Sequence, residues 1–315
     1  MHKIEIPERK IKWFVPEDLS ECTSQQYIDM CELLFRLHTG QIDETEFLTH
    51  SVYKLLNMVP GKSKETNPVL RKIDEQNKFA NIAQIADLLK ETFFFKQEQD
   101  DGSTRLNIIQ NYIHNPVPAF TPLWRTYYGP TEAFQNVKGG EYVEALRAFL
   151  QFNKTGDIDW MYELVAILYR PKKPFHFITK LFSNYDGDCR IVYNQHHLQK
   201  RIKAFKYAPF GFLYGVYLYF ASFQLFVSGA EVPWGDKVLD LSILFKGDSK
   251  MPEIEAADIG MDGVLFAFAE SGIFGDFDKA QQVPFWTMMI KMYDARVKQL
   301  QEQKNQENAN NSQTP

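Results

Sequence analysis

Tyr207 to Ala230 reads YAPFGFLYGVYLYFASFQLFVSGA and decides the fold, because it is the longest uncharged stretch of the chain. Its 24 residues include nine aromatic side chains. A run of this length leaves water either by crossing a bilayer or by filling a protein core. The fold of the remaining residues depends on which of these two environments the run occupies.

The composition of the run favours the core. Tyr214, Tyr217, Tyr219 and Gln224 stand in its middle, where a membrane span would carry Leu or Val, and Tyr prefers the membrane interface. Lysines and an arginine flank one side, but the chain offers no second span and no signal-like apolar run near its start. We therefore expect a central buried helix, with a single membrane span as the alternative.

Overall composition narrows the class of protein. The 315 residues are 44% apolar and 15% aromatic, which is enough for a substantial core. The formal net charge of −5 argues against broad nucleic-acid binding, which needs a basic surface. Three cysteines (Cys22, Cys31 and Cys189) show no metal-type spacing, so we expect reduced thiols in an intracellular compartment.

Periodicity along the chain predicts a mostly α, helix-rich α+β protein. Alternating residues near 3–15 predict a small strand pair. Thr23 or Ser24, and the Asp43/Glu46 pair, predict the starts of two helices in a hairpin. Aromatic and β-branched residues on both sides of Asp100-Asp101-Gly102-Ser103 predict a β-hairpin between residues 92 and 113.

The same pattern suggests a division of the chain. Residues 1–115 form an N-terminal helical lobe with strands and hairpin, and the prolines of residues 116–130 form an extended connector. Residues 131–298 form a helical domain around the apolar run 207–230. Residues 299–315, low in apolar side chains, are expected to be a disordered tail.

Chemical motifs are scarce. Asp186, Asp188, Cys189 and the pair His196-His197 are metal-ligand types, but their spacing is that of a turn followed by a helix rather than of a metal site. The phosphate-loop, nucleophile-elbow and zinc-protease motifs are missing from the sequence. We expect no catalytic residue, cofactor or metal, and this favours a non-enzymatic role.

Four segments carry a resemblance. They are Tyr128–Asn136 (YGPTEAFQN), Glu141–Ala145 (EYVEA), Leu164–Pro171 (LVAILYRP) and Glu270–Asp276 (ESGIFGD). Together they resemble uncharacterised proteins of Bacteroidetes phages and prophages, over most of residues 141–296. Such proteins tend to be encoded among tail genes, and the helical-hairpin start is similar in style to tail-assembly chaperones. The resemblance implies a role in the context of phage tail genes, and it identifies no active-site residue in this chain.

Three functional interpretations follow. The first is a protein-interaction role in phage or prophage morphogenesis, with a tail or tape-measure protein as partner, in the host cytoplasm or associated with the virion. The second is an enzyme or small-molecule-binding protein whose aromatic pocket is lined by Tyr214 and Tyr217 and closed by Arg170 or Lys172. The third is a single-span membrane protein.

Overall fold

The computed structural model describes residues 2–6, 11–59, 61, 63–98, 104–110, 112–182, 185–245 and 261–311. It confirms the mostly helical α+β class. In chain order the described helices are α1 (Ser24–His38), α2 (Glu44–Leu55), α3 (Pro68–Phe93), α4 (Gly139–Thr155), α5 (Ile158–Leu168), α6 (His176–Thr179), α7 (Leu198–Phe205), α8 (Phe210–Ser228), α9 (Asp262–Glu270), α10 (Phe277–Gln281) and α11 (Phe285–Asn311). The described strands are β1 (His2–Ile6), β2 (Ile11–Val15), β3 (Phe94–Glu98), β4 (Thr104–Ile108), β5 (Ala119–Phe120), β6 (Tyr127–Tyr128), β7 (Arg170–Pro171), β8 (Glu231–Trp234) and β9 (Lys237–Asp240).

The chain divides into two compact units. The first contains Met1–Val117 and Ala208–Tyr219, and the second contains Pro118–Tyr207 and Phe220–Pro315. The break after Val117 falls inside the predicted connector. The apolar run, however, does not belong to one domain, because the first half of α8 is counted in the first unit and the second half in the other.

Local signals in the first unit are confirmed. Thr23 and Asp43 each form a capping box, with Gln26 and Glu46 respectively, at the starts of α1 and α2. Strands β1 and β2 pair antiparallel, as do β3 and β4. The predicted turn at Asp100–Ser103 lies outside the described residues.

Helix α8 is the apolar run, and glycines let it approach α1 closely. The Tyr27 hydroxyl donates to the Gly215 carbonyl oxygen at 2.7 Å, and a Cβ on Gly215 would come within 2.7 Å of the Tyr27 ring. By length and composition α8 passes the test for a membrane span, with a mean hydropathy of 1.5, but 67% of that window is buried within the protein. The core helix of a globular protein passes the same test.

The closest approach is at Gly211, and it yields a stability prediction. A Cβ there would lie 2.2 Å from the Ile28 carbonyl oxygen, which is backbone and cannot rotate away. Gly211→Ala should therefore lower the free energy of unfolding by about 1–3 kcal/mol, the usual range for overpacking. Urea titration measures this change. Gly229→Ala is the matched control, since its Cβ meets no atom within 4 Å. Equal stability of the two variants would contradict the close packing of α1 and α8.

The second unit has a helical body and a small sheet. Strands β5, β6 and β7 form one antiparallel sheet, so part of the predicted connector is sheet structure. The α8 side chains Phe220 and Phe223 are fully buried, and the Phe223 ring stacks on Phe134 with 3.9 Å between ring centroids. Trp286 of α11 donates its indole N–H to the Ala133 carbonyl oxygen at 2.8 Å.

The C-terminal expectation differs from the structure. Helix α11 continues to Asn311, so residues 299–311 are helical where disorder was expected; residues 312–315 are not described. The physical reason is that Gln, Glu, Lys and Ala are good helix formers, and extending a helix already nucleated by packed residues such as Met288 and Met289 requires little further stabilisation.

Candidate functional site

Four buried charged side chains meet in the second unit and are here called the ion cluster: Glu141, Arg170, Asp188 and Arg190. Glu141 lies in the first turn of α4, and Arg170 begins β7 directly after the buried end of α5. Asp188 and Arg190 come from the segment that precedes α7. The cluster therefore joins three parts of the chain that are distant in sequence.

Both carboxylates are shared by both arginines. Glu141 Oε1 lies 2.7 Å from Arg170 Nη1 and 2.9 Å from Arg190 Nη1. Arg190 Nε donates to Asp188 Oδ1 at 2.9 Å, and Arg170 Nη2 donates to Asp188 Oδ2 at 3.3 Å. Two positive charges face two negative charges, and this balance is what makes burial of four ionised groups tolerable.

The remaining donors of the arginines bind backbone. Arg190 donates to the carbonyl oxygens of Leu168 at 2.8 Å and Asn136 at 2.9 Å. Arg170 Nε donates to the Ile191 carbonyl oxygen at 2.9 Å. Burial opposes the charge of Arg190, but Glu141 and Asp188 outweigh it and raise the Arg190 pKa. For Arg170 burial prevails over Glu141 and lowers the pKa, with Arg190 acting in the same direction.

The ion cluster fixes the base of a long loop, here called the apolar loop, which consists of residues 173–189 and is described except at residues 183 and 184. At the base, Lys173 N–H donates to the Cys189 carbonyl oxygen at 2.8 Å, and Ile191 N–H donates to the Pro171 carbonyl oxygen at 2.9 Å. Lys172 and Arg190 form a β-bridge at the same level. The two ends of the apolar loop are thus bonded to each other next to Arg170 and Arg190 of the ion cluster.

Large apolar side chains of this loop face solvent. Four of them, Phe175, Phe177, Leu181 and Phe182, are between 60% and 78% exposed, and Ile178 is 43% exposed. The described part of the loop is nevertheless folded, since it contains the single helical turn α6 and His176 Nε2 lies 2.8 Å from the Tyr185 hydroxyl. A run of exposed apolar residues on an ordered loop is typical of an interaction site.

A polar cleft of about 380 Å³ adjoins the ion cluster. Its lining comes from the start of α4, from the segment before α7 and from α10, and includes Lys138, Glu141, Glu144, Tyr193, Asn194, His196 and Asp278. The centroid of the Tyr193 ring lies close to two guanidinium groups, 5.9 Å from that of Arg170 and 5.7 Å from that of Arg201. Burial lowers the Arg201 pKa to about 10, and the charge of Arg170 adds to this effect.

The four residues suggested by the sequence lie in different places. Arg170 and Lys172 are in the second unit, where Arg170 is committed to the ion cluster and the Lys172 ammonium lies 5.5 Å from the Tyr128 ring centroid. Tyr214 and Tyr217 are in the first unit, where their rings stack on each other, and the Tyr214 hydroxyl lies 2.8 Å from His38 Nδ1. None of the four lines the polar cleft.

Sequence reasoning missed the ion cluster and the apolar loop. Asp186 does accept from the Asp188 N–H at 3.1 Å, as turn chemistry predicts, but Asp188 also binds both arginines. The available signal was Arg170 at the end of the apolar stretch LVAILY, where a cation must be buried and paired. Among the described residues no group of three His, Cys, Asp or Glu side chains is placed to hold a metal ion.

Comparison of the chain with protein-family models, with curated proteins and with solved structures gives no match.

Proposed function

We propose that the protein is a non-enzymatic interaction protein that binds a partner protein through the apolar loop. The observation that carries the proposal is the exposure of Phe175, Phe177, Leu181 and Phe182 on a loop whose base is fixed by buried ion pairs. Apolar side chains on a rigid support bind with little loss of conformational entropy. Aromatic anchors of this kind provide most of the binding energy in protein interfaces.

The biological context of the proposal is phage or prophage morphogenesis, in the host cytoplasm or on the virion. It is supported by the sequence resemblance of residues 128–136, 141–145, 164–171 and 270–276. In that context the partner is a tail component, and a tape-measure protein is the first candidate. Such a protein is very long and helical.

The test is co-expression with the products of neighbouring genes, followed by co-purification. The expected result is a complex with the wild-type chain that is lost in the Phe177→Ser/Leu181→Ser variant. The control is Leu150→Ser/Ile158→Ser, which changes two exposed apolar residues outside the loop and should leave the complex intact. If no neighbour binds, or if both variants bind as the wild type does, the proposal is wrong.

The polar cleft favours a second candidate function, the binding of a small polar molecule. Its volume of about 380 Å³ is within the usual range of ligand sites, but its lining consists mostly of amide and charged side chains, with the Tyr193 ring among them. A thermal-shift screen of polar metabolites tests this candidate. A raised Tm that disappears in Tyr193→Ala or Asp278→Asn would support it, and a compound set without effect on Tm would count against it.

A further inference from the structure

The register of the small sheet brings a second exposed apolar element to the apolar loop. Strand β6 pairs antiparallel with β7, and Tyr127 lies opposite Pro171. Residues that precede Tyr127 therefore lie at the end of the sheet where the chain leaves after Pro171. The β5–β6 turn, residues 121–126, and the beginning of the apolar loop emerge at this same end.

This turn, here called the hairpin tip, presents the most exposed large apolar side chain in the described part of the chain. Trp124 is 92% exposed and Leu123 is 43% exposed. The Thr121 and Thr126 hydroxyls are 2.9 Å apart, and their hydrogen bond joins the two ends of the turn. A Trp held at such a position is the residue type most often found as a binding hot spot.

Basic side chains accompany both elements. Arg125 lies in the hairpin tip, and Lys172, Lys173 and Lys180 lie in or next to the apolar loop. Among the described residues of these two segments, Asp186 is the one exposed carboxylate. Asp186 lies 3.1 Å from the Lys173 ammonium, so it neutralises part of this charge. The chain as a whole carries a net charge of −5, and this end of the sheet is therefore a local cationic region.

We propose that the hairpin tip and the apolar loop form one docking surface for an acidic amphipathic segment of a partner protein. The apolar face of that segment covers Trp124, Phe177 and Leu181, and its carboxylates meet Arg125 and Lys180. Complementary charge at the rim of an apolar contact supplies orientation and a faster association rate. The inference rests on the proposed function and specifies its partner.

A protein segment fits the charge better than an anionic membrane does. Recognition of anionic lipid by charge takes clusters of four to eight Lys or Arg side chains. Here Lys172 is placed over the Tyr128 ring and Lys173 pairs with Asp186, which leaves a smaller cationic surface. A single protein segment needs only local charge complementarity.

Fluorine NMR of protein labelled with 5-fluorotryptophan tests the inference on the full chain. The sequence contains five Trp residues, and Trp124→Phe identifies the Trp124 resonance. The probes are an amphipathic peptide of about 18 residues with Leu and Phe on one face and Glu on the other, the same peptide with Lys for Glu, and vesicles of phosphatidylcholine and phosphatidylserine. We expect the Glu peptide to shift the Trp124 resonance and to bind about tenfold more tightly than the Lys peptide.

Matched variants separate charge from apolar contact. Arg125→Glu/Lys180→Glu should weaken binding of the Glu peptide about tenfold, while Lys154→Glu/Lys237→Glu, with the same change in net charge, should leave it unchanged. Equal binding of both peptides would overturn the acidic partner. A Trp124 resonance that does not respond to either peptide would overturn the shared surface.

These failures can be told apart from failure of the proposed function. If a neighbouring gene product still binds through Phe177 and Leu181, the interaction role stands while the hairpin tip or the charge assignment falls. If the vesicles shift the Trp124 resonance and the peptides do not, the surface is a membrane-binding one. That outcome would overturn the partner inferred here, whereas the protein-interaction role is decided separately by the co-purification test.

Discussion

Replacing Arg190 with methionine is expected to lower the free energy of unfolding by about 3–5 kcal/mol, as is typical when one partner of a buried ion pair is removed. The variant leaves Glu141 and Asp188 buried with Arg170 as their remaining cluster cation. It also deprives the Leu168 and Asn136 carbonyl oxygens of their Arg190 donors. Urea titration followed by circular dichroism measures the change.

Arg147→Met is the control for this prediction. Arg147 also binds two carboxylates, those of Glu144 and Asp262, but its side chain is 42% exposed. Exposed ion pairs contribute up to about 1 kcal/mol, so this variant should remain near wild-type stability. If the two variants lost similar stability, the ion cluster would be no more than a set of surface salt bridges.

Phe223→Ala should destabilise the protein by about 3–5 kcal/mol, the usual range for deleting a buried ring. The ring is completely buried, stacks on Phe134, and also lies 5.3 Å from the Phe285 ring centroid. A cavity there cannot be filled without moving α8 or α11. Phe212→Ala and Phe220→Ala should act similarly, and we expect at least two of the three proteins to fail to accumulate in soluble form.

The control on the same helix is Leu225→Ala. Leu225 is 60% exposed, so its truncation should change the free energy of unfolding by no more than about 0.5 kcal/mol. Soluble, fully stable alanine variants at Phe212, Phe220 and Phe223 would contradict the assignment of α8 to the core. A detergent requirement that persists in all of them would instead favour a membrane helix.

Features encoded by neighbouring residues were predictable from the sequence. The capping residues Thr23 and Asp43 act within one helical turn, and the strand pairs of the first unit follow from alternating residues in one case and from aromatic and β-branched residues in the other. The composition of the run 207–230 predicts a core helix, and 67% of its most apolar window is buried. In each case the residues that interact are close together in sequence, so the sequence pattern itself indicates the structure.

Features that depend on distant pairing were not predictable. Glu141 and Arg190 are 49 positions apart, and nothing local indicates that their side chains meet. The loop sequence FHFITKLF would ordinarily be assigned to a core, and its exposure depends on what the rest of the fold leaves uncovered. The β8–β9 hairpin was also missed, because Pro233 interrupts the strand pattern.

Native-state hydrogen exchange tests most directly the claim that the ion cluster holds a rigid base beneath an exposed, interacting loop. The Lys173 and Ile191 amides, bonded to Cys189 and Pro171, should exchange only through opening that approaches global unfolding. The Ile178 and Leu181 amides, bonded within the loop, should exchange through small local openings. Slow exchange at the base with fast exchange in the loop is the predicted result, and equal rates at all four amides would contradict it.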